Sequence, residues 1–300
     1  MRGALARGGV LVGEPVIQLL LDRREWFPGE WVTGRLVITL RRPVYFDAVE
    51  AQLFGHELVT VIEEYDTGKR SRRVRYNESV PFLDAPLSLA LVGGEPLDFG
   101  ALDAGEHTYQ FAAHLPPDVP PSFRRDGGDL KVEVAYAVRA GLSVPWRFDP
   151  KAVAGIDVVV PPRAAAPGPL YATKPPAFLM AATTVDALLH EAAVPRGGSL
   201  SGEFTVTTKG TRRMRAITVK IYERAHGNAK GHGASSSRFL NQLKFPDVPF
   251  DRPVPFTFSV PKDAIPDYEG ELCTIVHTVA AEVDLEFAVN PTLEIPFLVS

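Results

Sequence analysis

The chain has 300 residues, of which 45% are hydrophobic and 23% charged, and its formal net charge is −4. These values are typical of a folded globular protein rather than a disordered one, and a chain without a basic excess is not expected to be a dedicated nucleic-acid-binding protein. The single cysteine, Cys273, cannot form an internal disulfide or a multi-cysteine zinc site.

The N-terminal segment Met1–Val12 contains two arginines and a weakly apolar stretch, as a signal peptide would. Glycines within it, and Glu14 and Pro15 after it, interrupt any long apolar region, and no cleavage site of small residues follows. The whole sequence contains no stretch near the ~20 apolar residues of a membrane span. We therefore expect an unprocessed cytoplasmic protein, and the lone cysteine favours such a reducing compartment.

Turn-forming residues are spread through the chain, with 27 prolines and 25 glycines, so long helices should be scarce. Between the turns, apolar and polar residues alternate, as in Gly34–Leu40, Val49–Gly55 and Lys131–Val138. This period of two is typical of half-buried strands in antiparallel sheets. The sequence therefore predicts an all-β protein built as a sandwich or a barrel.

The two halves of the chain repeat the same order of features. A Pro-Gly or Gly-Gly turn before a strand occurs at Phe27–Gly34 and again at Val194–Gly202. A phenylalanine-containing strand that ends in proline occurs at Tyr109–Pro116 and again at Phe256–Pro261. Because the features recur at similar spacing, we predict two related β-sandwich domains in tandem.

The boundary between the halves is predicted from composition. Residues 161–169 contain four prolines and no strand pattern, so we expect a first domain over 1–160, a proline-rich linker over 161–177 and a second domain over 178–300. Ala177–Val194 has helix-forming residues, but the repeat aligns it with the strand at Val16–Phe27. We expect a strand, because tertiary context often overrides local propensity.

The first half resembles a known family in the order of its motifs. These are Pro28-Gly29-Glu30, Leu115-Pro116, Pro120-Pro121-Ser122-Phe123 and the strand from Val134 to Ala140. Over Val16–Val160 the sequence resembles the arrestin N-terminal domain, closest to the α-arrestins, and the second half resembles the arrestin C-terminal domain more faintly. The retromer cargo-adaptor subunit and bacterial sporulation-control proteins share this architecture.

The resemblance implies two immunoglobulin-like, arrestin-type β-sandwiches and a non-enzymatic adaptor or scaffold. Such a protein would bind a protein partner through its inter-domain crest loops and concave sheet faces. The sequence has no Pro-Pro-x-Tyr motif, so recruitment of ubiquitin ligases in the α-arrestin manner is not expected. Its pattern also does not place the Asp/Arg charge network by which other arrestins sense phosphate. Abundant alanine, arginine, proline and glycine favour a GC-rich, bacterial source.

Signatures of catalysis or cofactor binding are weak. Gly198–Gly202 lacks the spacing and the strand-to-helix context of a serine-hydrolase elbow, and no phosphate-binding loop motif occurs. His226 and His232 could bind a metal only with a third ligand, and no acidic residue lies between Glu223 and Asp247. We therefore expect no catalytic residues, no metal site and no cofactor, and we expect Cys273 to be a buried thiol.

One basic segment follows the acidic turn Glu63–Gly68. It comprises Lys69, Arg70, Arg72, Arg73 and Arg75. By position it resembles the arrestin finger loop, so it is the candidate partner-binding site for an acidic or phosphorylated protein surface, or for anionic lipid. Alternatively, it is a solvated hairpin in which Glu63, Glu64 and Asp66 pair with the arginines.

The second half has two features of uncertain role. His226–Ser237 is rich in glycine, alanine and serine, so we expect a mobile, exposed loop at the position that the basic hairpin occupies in the first half. Residues 209–244 are mainly basic and residues 245–300 mainly acidic. We favour cross-strand neutralisation of these charges over a basic docking face.

Two questions stay open from the sequence. A ligand- or carbohydrate-binding pair of sandwiches is the alternative to an adaptor, and it would need a row of exposed aromatic residues. Trp26, Trp31 and Trp146 lie beside strand ends or turns and form no such row. The protein could be a monomer or a dimer paired through exposed edge strands.

Overall fold

The computed structural model describes residues 15–66, 68, 71–91, 100–145, 149–161, 167–174, 183–208, 213–286 and 290–300. Every helix or strand in these ranges is a β-strand, which confirms the all-β fold class. Several sequence expectations concern Met1–Val12, Lys69, Arg70 and Trp146, which lie outside the described residues. Within the described ranges there is no helix long and apolar enough to cross a membrane.

The first half of the chain contributes twelve strands. They are β1 (Val16–Leu21), β2 (Glu25–Trp26), β3 (Trp31–Leu40), β4 (Val44–Phe46), β5 (Ala48–Asp66), β6 (Ser71–Pro86), β7 (Ser88–Leu91), β8 (Gly100–Leu102), β9 (Gly105–His114), β10 (Phe123–Asp126), β11 (Leu130–Ser143) and β12 (Lys151–Val158).

The second half contributes ten strands. They are β13 (Pro167–Lys174), β14 (Thr183–Glu191), β15 (Ala193–Val194), β16 (Ser199–Thr208), β17 (Met214–Ala229), β18 (His232–Pro246), β19 (Val254–Ser259), β20 (Tyr268–Glu269), β21 (Cys273–Leu285) and β22 (Thr292–Val299).

The sheets of the two halves have corresponding strand orders. One sheet of each half has the order β1-β3-β9-β7 or β13-β14-β16-β19. The other has the order β2-β12-β11-β5-β6, with β10 beside β11, or β15-β22-β21-β17-β18, with β20 beside β21. A short parallel pair occurs at the same place in each half, β2 with β12 and β15 with β22. The structure therefore confirms two tandem antiparallel sandwiches of one topology.

The same glycine–phenylalanine contact occurs in both halves. Gly34 on β3 lies opposite Phe111 on β9, and Gly202 on β16 lies opposite Phe256 on β19. A Cβ at Gly34 would lie 2.6 Å from the Phe111 ring, and one at Gly202 would lie 2.7 Å from the Phe256 ring. The ring covers the glycine, so each strand pair packs closely enough that no side chain fits there.

By contacts, the chain forms two compact units that do not follow the sequence halves. The first comprises Met1–His56, Pro81–Ser122 and Val134–Val160, and the second comprises Glu57–Val80, Phe123–Glu133 and Pro161–Ser300. Strands β5, β6 and β11 contribute residues to both units. The core of the second unit includes Val185, Leu200, Phe204, Ile217 and Phe258, all less than 2% exposed.

Part of the segment that we interpreted as a linker is a strand. Residues 167–174 form β13, which pairs with β14 and packs Leu170 and Ala172 against the second core. Its prolines suggested a linker, but proline is tolerated at the edge of a sheet, where its missing N–H is not required. The strand expectation for the following segment is confirmed in its described part, since Thr183–Glu191 forms β14 with Val185, Ala187 and Leu189 buried.

We predict that Gly34→Ala and Gly202→Ala each destabilise the protein by about 1–3 kcal/mol, because the new methyl group overlaps a phenylalanine ring and a backbone carbonyl. Chemical denaturation measures this loss. The control is Gly155→Ala on β12, where the nearest atom to a new Cβ is 3.9 Å away. Equal stability of all three variants would contradict the packing argument.

Candidate functional site

The basic segment lies on the long hairpin of β5 and β6. Of its five basic residues, the structure describes Arg72, Arg73 and Arg75, and all three are exposed on β6. Side chains alternate along a strand, so Arg73 and Arg75 share one face and Arg72 lies on the other. The exposed positions from Ser71 to Ser79 include every odd-numbered residue, so Arg73 and Arg75 belong to the solvent-facing side.

The arginines differ in their partners. Arg73 lies 3.6 Å from Glu64, whose carboxylate also accepts a hydrogen bond from the Ser71 hydroxyl. The Ser71 hydrogen bond and then the Arg73 charge hold the pKa of Glu64 below its ordinary value. The side chains of Arg72 and Arg75 form no hydrogen bond or ion pair with any residue that the structure describes. Cross-strand pairing therefore accounts for Arg73 alone among the three.

The expected mobile loop at His226–Ser237 is wrong. These residues form the end of a continuous hairpin in which β17 and β18 pair up to Ala229 and His232. Lys230 and Gly231 have φ values of 54° and 82°, and two consecutive residues of positive φ make the tight turn typical of twisted hairpins. The sequence lacked strand signals because glycine, alanine and serine pair through their backbones without the side chains that mark a strand.

The ends of the β5–β6 and β17–β18 hairpins contact each other within the second unit. The His232 ring stacks on Tyr76 with centroids 3.6 Å apart, and its Nδ1 lies 3.0 Å from Glu63 Oε1. The backbone N–H of Lys230 donates to the Glu78 carboxylate. We call these five residues the crest cluster. His232 is thus half-buried and partnered, contrary to the expectation that His226–Ser237 forms a mobile, exposed loop.

Further hydrogen bonds stiffen the crest cluster. The Tyr65 hydroxyl donates to Glu63 and lies 3.1 Å from the Tyr76 hydroxyl. This Tyr65 hydrogen bond, followed by the His232 contact, lowers the pKa of Glu63. The carboxylate is therefore ionised at neutral pH, and it fixes two aromatic rings and an imidazole between the two hairpins.

A buried charge network lies in the same unit. Arg125 on β10 lies 2.5 Å from Glu223 on β17, and their side chains are 7% and 0% exposed. His277 on β21, also 0% exposed, lies 3.0 Å from Asp267 through Nδ1 and 3.7 Å from Glu223 through Nε2. Glu223 also accepts the Ile265 N–H at 2.8 Å, and Asp267 accepts the Val299 N–H.

The formal charges of this network favour protonation of His277. One guanidinium, Arg125, faces the two carboxylates of Glu223 and Asp267, and a proton on the imidazole offsets the excess negative charge. Burial by itself lowers the pKa of His277, but the Asp267 and Glu223 carboxylates raise it above 6.5 overall. Burial would raise the pKa of Glu223, but the His277 ring, the Ile265 N–H and the Arg125 charge hold it below 4.5.

A second buried carboxylate, Glu57 on β5, is 2% exposed. It accepts backbone N–H groups from Glu271 at 3.0 Å, Leu272 at 3.1 Å and Cys273 at 2.5 Å. Burial and then Glu57 raise the pKa of the Cys273 thiol, so this cysteine is a neutral, buried side chain. Glu57 thus satisfies the donors of the turn before β21.

Glu57, Glu223 and His277 were not predicted from the sequence, although a signal was present. Each occupies an inward position of an alternating strand, where neighbours two residues away, such as Val59 or Ile221, are buried. A charged residue on the buried face of a strand needs a hydrogen-bond or ion-pair partner, because an unpaired buried charge destabilises the fold. The partners could not be identified, since they lie on distant segments.

Opposite charges of the second half are paired at its surface. Five such pairs occur among the described residues, two between strands and three that involve a residue at a turn or strand end. These pairs are Arg213–Asp247, Arg215–Glu286, Lys220–Glu282, Arg224–Glu294 and Arg238–Asp263. Among the residues that the structure describes, no group of three or more His, Cys, Asp or Glu side chains is arranged to hold a metal ion.

The described tryptophans do not share an exposed face. Trp26 is 3% exposed and lies under the Arg23 guanidinium, whereas Trp31 is 58% exposed and contacts the edge of the His114 ring. The row of exposed aromatic residues that a carbohydrate-binding surface requires is therefore not formed by these two side chains.

Comparison with protein families gives a match over the first half of the chain. Residues 17–163 match the family model described as Arrestin (or S-antigen), N-terminal domain. A search of curated protein sequences found no match to the chain. The matched region ends just after β12 and so covers the first of the two related halves.

We predict that Arg125→Met destabilises the protein by about 3–5 kcal/mol, because it leaves Glu223 buried without its cation. The double variant Arg125→Met/Glu223→Gln should recover part of the loss, since no uncompensated charge then remains. Denaturant unfolding of both variants measures the difference. A double variant less stable than Arg125→Met would contradict this assignment of the cost.

The raised pKa of His277 predicts a pH dependence. Its charge stabilises the fold fully below the unfolded pKa of about 6.5, and this contribution is lost as the pH rises through the higher folded pKa. The stability difference between wild type and His277→Gln should therefore narrow as the pH rises from about 6 to about 9.

Thermal unfolding of the two proteins at a series of pH values checks the effect. His226→Gln, at an exposed histidine on β17, controls for loss of an imidazole. If the difference in stability between wild type and His277→Gln stays constant over this pH range, His277 does not bind its proton more tightly in the folded protein.

Proposed function

The chain belongs to an arrestin-like family, and on that premise we propose that it is an adaptor that binds another protein at the crest. The proposed contact surface comprises Arg72, Arg73 and Arg75 of β6 together with the adjoining crest cluster. Arrestin-like proteins are generally not enzymes, and we propose that this chain too acts by binding rather than by catalysis.

The observation that supports this site is that two of its arginines are exposed and lack an ion pair among the described residues. Arg72 and Arg75 are exposed and form no ion pair within the described residues, whereas five basic residues of the second half are paired with acids. Guanidinium groups suit carboxylates and phosphates because they donate in a planar fork. An acidic or phosphorylated protein surface is therefore the proposed partner.

The contacts of the crest cluster hold the arginine-bearing hairpin in place, which favours binding. Stacking of Tyr76 on His232 and the bonds to Glu63 and Glu78 fix the hairpin that presents them. A prearranged contact loses less conformational entropy when it binds a partner. Cytoplasmic residence remains part of the proposal, supported by a single, buried, reduced cysteine.

We predict that Arg72→Ser/Arg75→Ser loses partner binding without loss of stability. Pull-down from native lysate, quantified against wild type, should show at least about tenfold less of the specific partner, and wild-type binding should weaken as salt rises. Melting should change little, because exposed charges usually contribute under about 0.5 kcal/mol each.

Arg41→Ser/Arg42→Ser is the matched control, since it removes two other exposed arginines and changes the net charge equally. It should retain the partner. If both variants lose the partner equally, the effect is one of net charge. If neither does, the crest is not the binding site, and retention on a glycan array without a protein partner would support the carbohydrate-binding alternative.

A further inference from the structure

Strand β6 has an open edge. It is the last strand in the order β2-β12-β11-β5-β6, and it is 16 residues long. Apart from the pairing of β6 with β5, Ser71–Val80 takes part in no backbone–backbone hydrogen bond within the part of the chain that the structure describes. Alternate N–H and C=O groups of such an edge point away from the sheet and are free to pair with another strand.

Proline, one of the usual protections of an edge, is absent from this segment. Ser71–Val80 contains no proline and no glycine, and its first proline is Pro81. The edge of β18, by comparison, has a bulge at Leu240 beside the Ile221–Tyr222 register shift, and its Arg238 is paired with Asp263. Bulges and exposed charges both discourage pairing with a further strand, so the exposed arginines of β6 limit its edge to a strand of opposite charge.

The charges on β6 determine which kind of strand can pair with this edge. Arg73 and Arg75 lie on one face, about 6.7 Å apart along the strand at 3.3–3.4 Å per residue. A second copy of β6 would bring arginines close to arginines, which is unfavourable between directly opposed strands. An extended segment with acidic side chains two residues apart would instead place a carboxylate opposite each arginine.

We propose that β6 binds an extended, acidic segment of a partner protein by strand addition at its free edge. Main-chain hydrogen bonds to Ser71–Val80 would provide part of the affinity, and carboxylates facing Arg73 and Arg75 would provide the selectivity. The inference rests on the proposed function, because it assigns a binding mode and a ligand class to the same basic strand.

An arginine away from β6 provides a matched control. Arg75 and Arg42 are both exposed, and neither side chain forms an ion pair among the described residues, but only Arg75 lies on β6. Arg75→Ser removes a charge that would face the added strand and Arg42→Ser does not, although the two substitutions change the net charge equally. Strand addition therefore predicts different effects from two chemically identical changes.

The probe is a capped decapeptide of alternating glutamate and threonine, titrated into the full chain. We expect saturable binding, at least about fivefold weaker for Arg75→Ser and within about twofold of wild type for Arg42→Ser. Hydrogen exchange should slow at alternate backbone amides of Ser71–Val80 when the peptide is bound, because those N–H groups gain partners.

Three peptide and vesicle comparisons complete the test. A decapeptide of alternating glutamate and proline has the same charge but fewer N–H groups, so it should bind at least about tenfold more weakly, and a lysine–threonine peptide should not bind. Equal binding of the glutamate–proline peptide, or binding without amide protection in β6, would overturn strand addition. Phosphatidylserine vesicles that bind better than the peptide would overturn it in favour of a membrane contact.

The two proposals can fail separately. If the decapeptide does not bind but Arg72→Ser/Arg75→Ser still loses its lysate partner, strand addition is wrong and the adaptor function stands. If wild type captures no partner that depends on these arginines, the proposed function fails whatever the peptide does.

Discussion

Neutralisation of buried charge constrains the second unit. Glu223 is fully buried and 98 residues from Arg125, the guanidinium that compensates it. Because an isolated carboxylate at that depth would be strongly destabilising, β10, β17 and β21 must approach one another closely enough for Arg125, Glu223 and His277 to interact. The network therefore fixes a strand from the first half of the chain against two strands from the second.

The crest depends on this arrangement. Glu223 lies on β17, the strand that leads into the Lys230–Gly231 turn, and Ser236 on β18 accepts a hydrogen bond from Arg125 at 3.3 Å. Glu57, on the strand that also includes Glu63, is held by three backbone N–H groups before β21. Buried carboxylates on β5 and β17 thus anchor both hairpins, and Tyr76 and His232 meet at their ends as a result.

This combination fits the adaptor function that we propose. On the buried side of the hairpins the Glu57 and Glu223 carboxylates are hydrogen-bonded, whereas the outer side of β6 presents guanidinium groups and an unpaired strand edge. Charges on the surface of the second half are neutralised across strands, as in Lys220–Glu282 and Arg224–Glu294. The unpaired arginines of β6 are a departure from that pattern.

The sequence by itself determined the all-β class, the tandem repeat and the family, because alternation and the order of turns are local properties that can be seen in the residues themselves. Gly34 and Gly202, for example, occupy equivalent places in the repeat, each shortly after a glycine-containing turn. The sequence also located the basic residues of β6. Only the tertiary structure showed that Pro167–Lys174 is an edge strand and that His226–Ser237 is paired, because both depend on neighbouring strands rather than on side-chain propensity. It alone also identified the partners of Glu57, Glu223 and His277, since charge compensation and hydrogen bonding act between residues that are close in space but far apart along the chain.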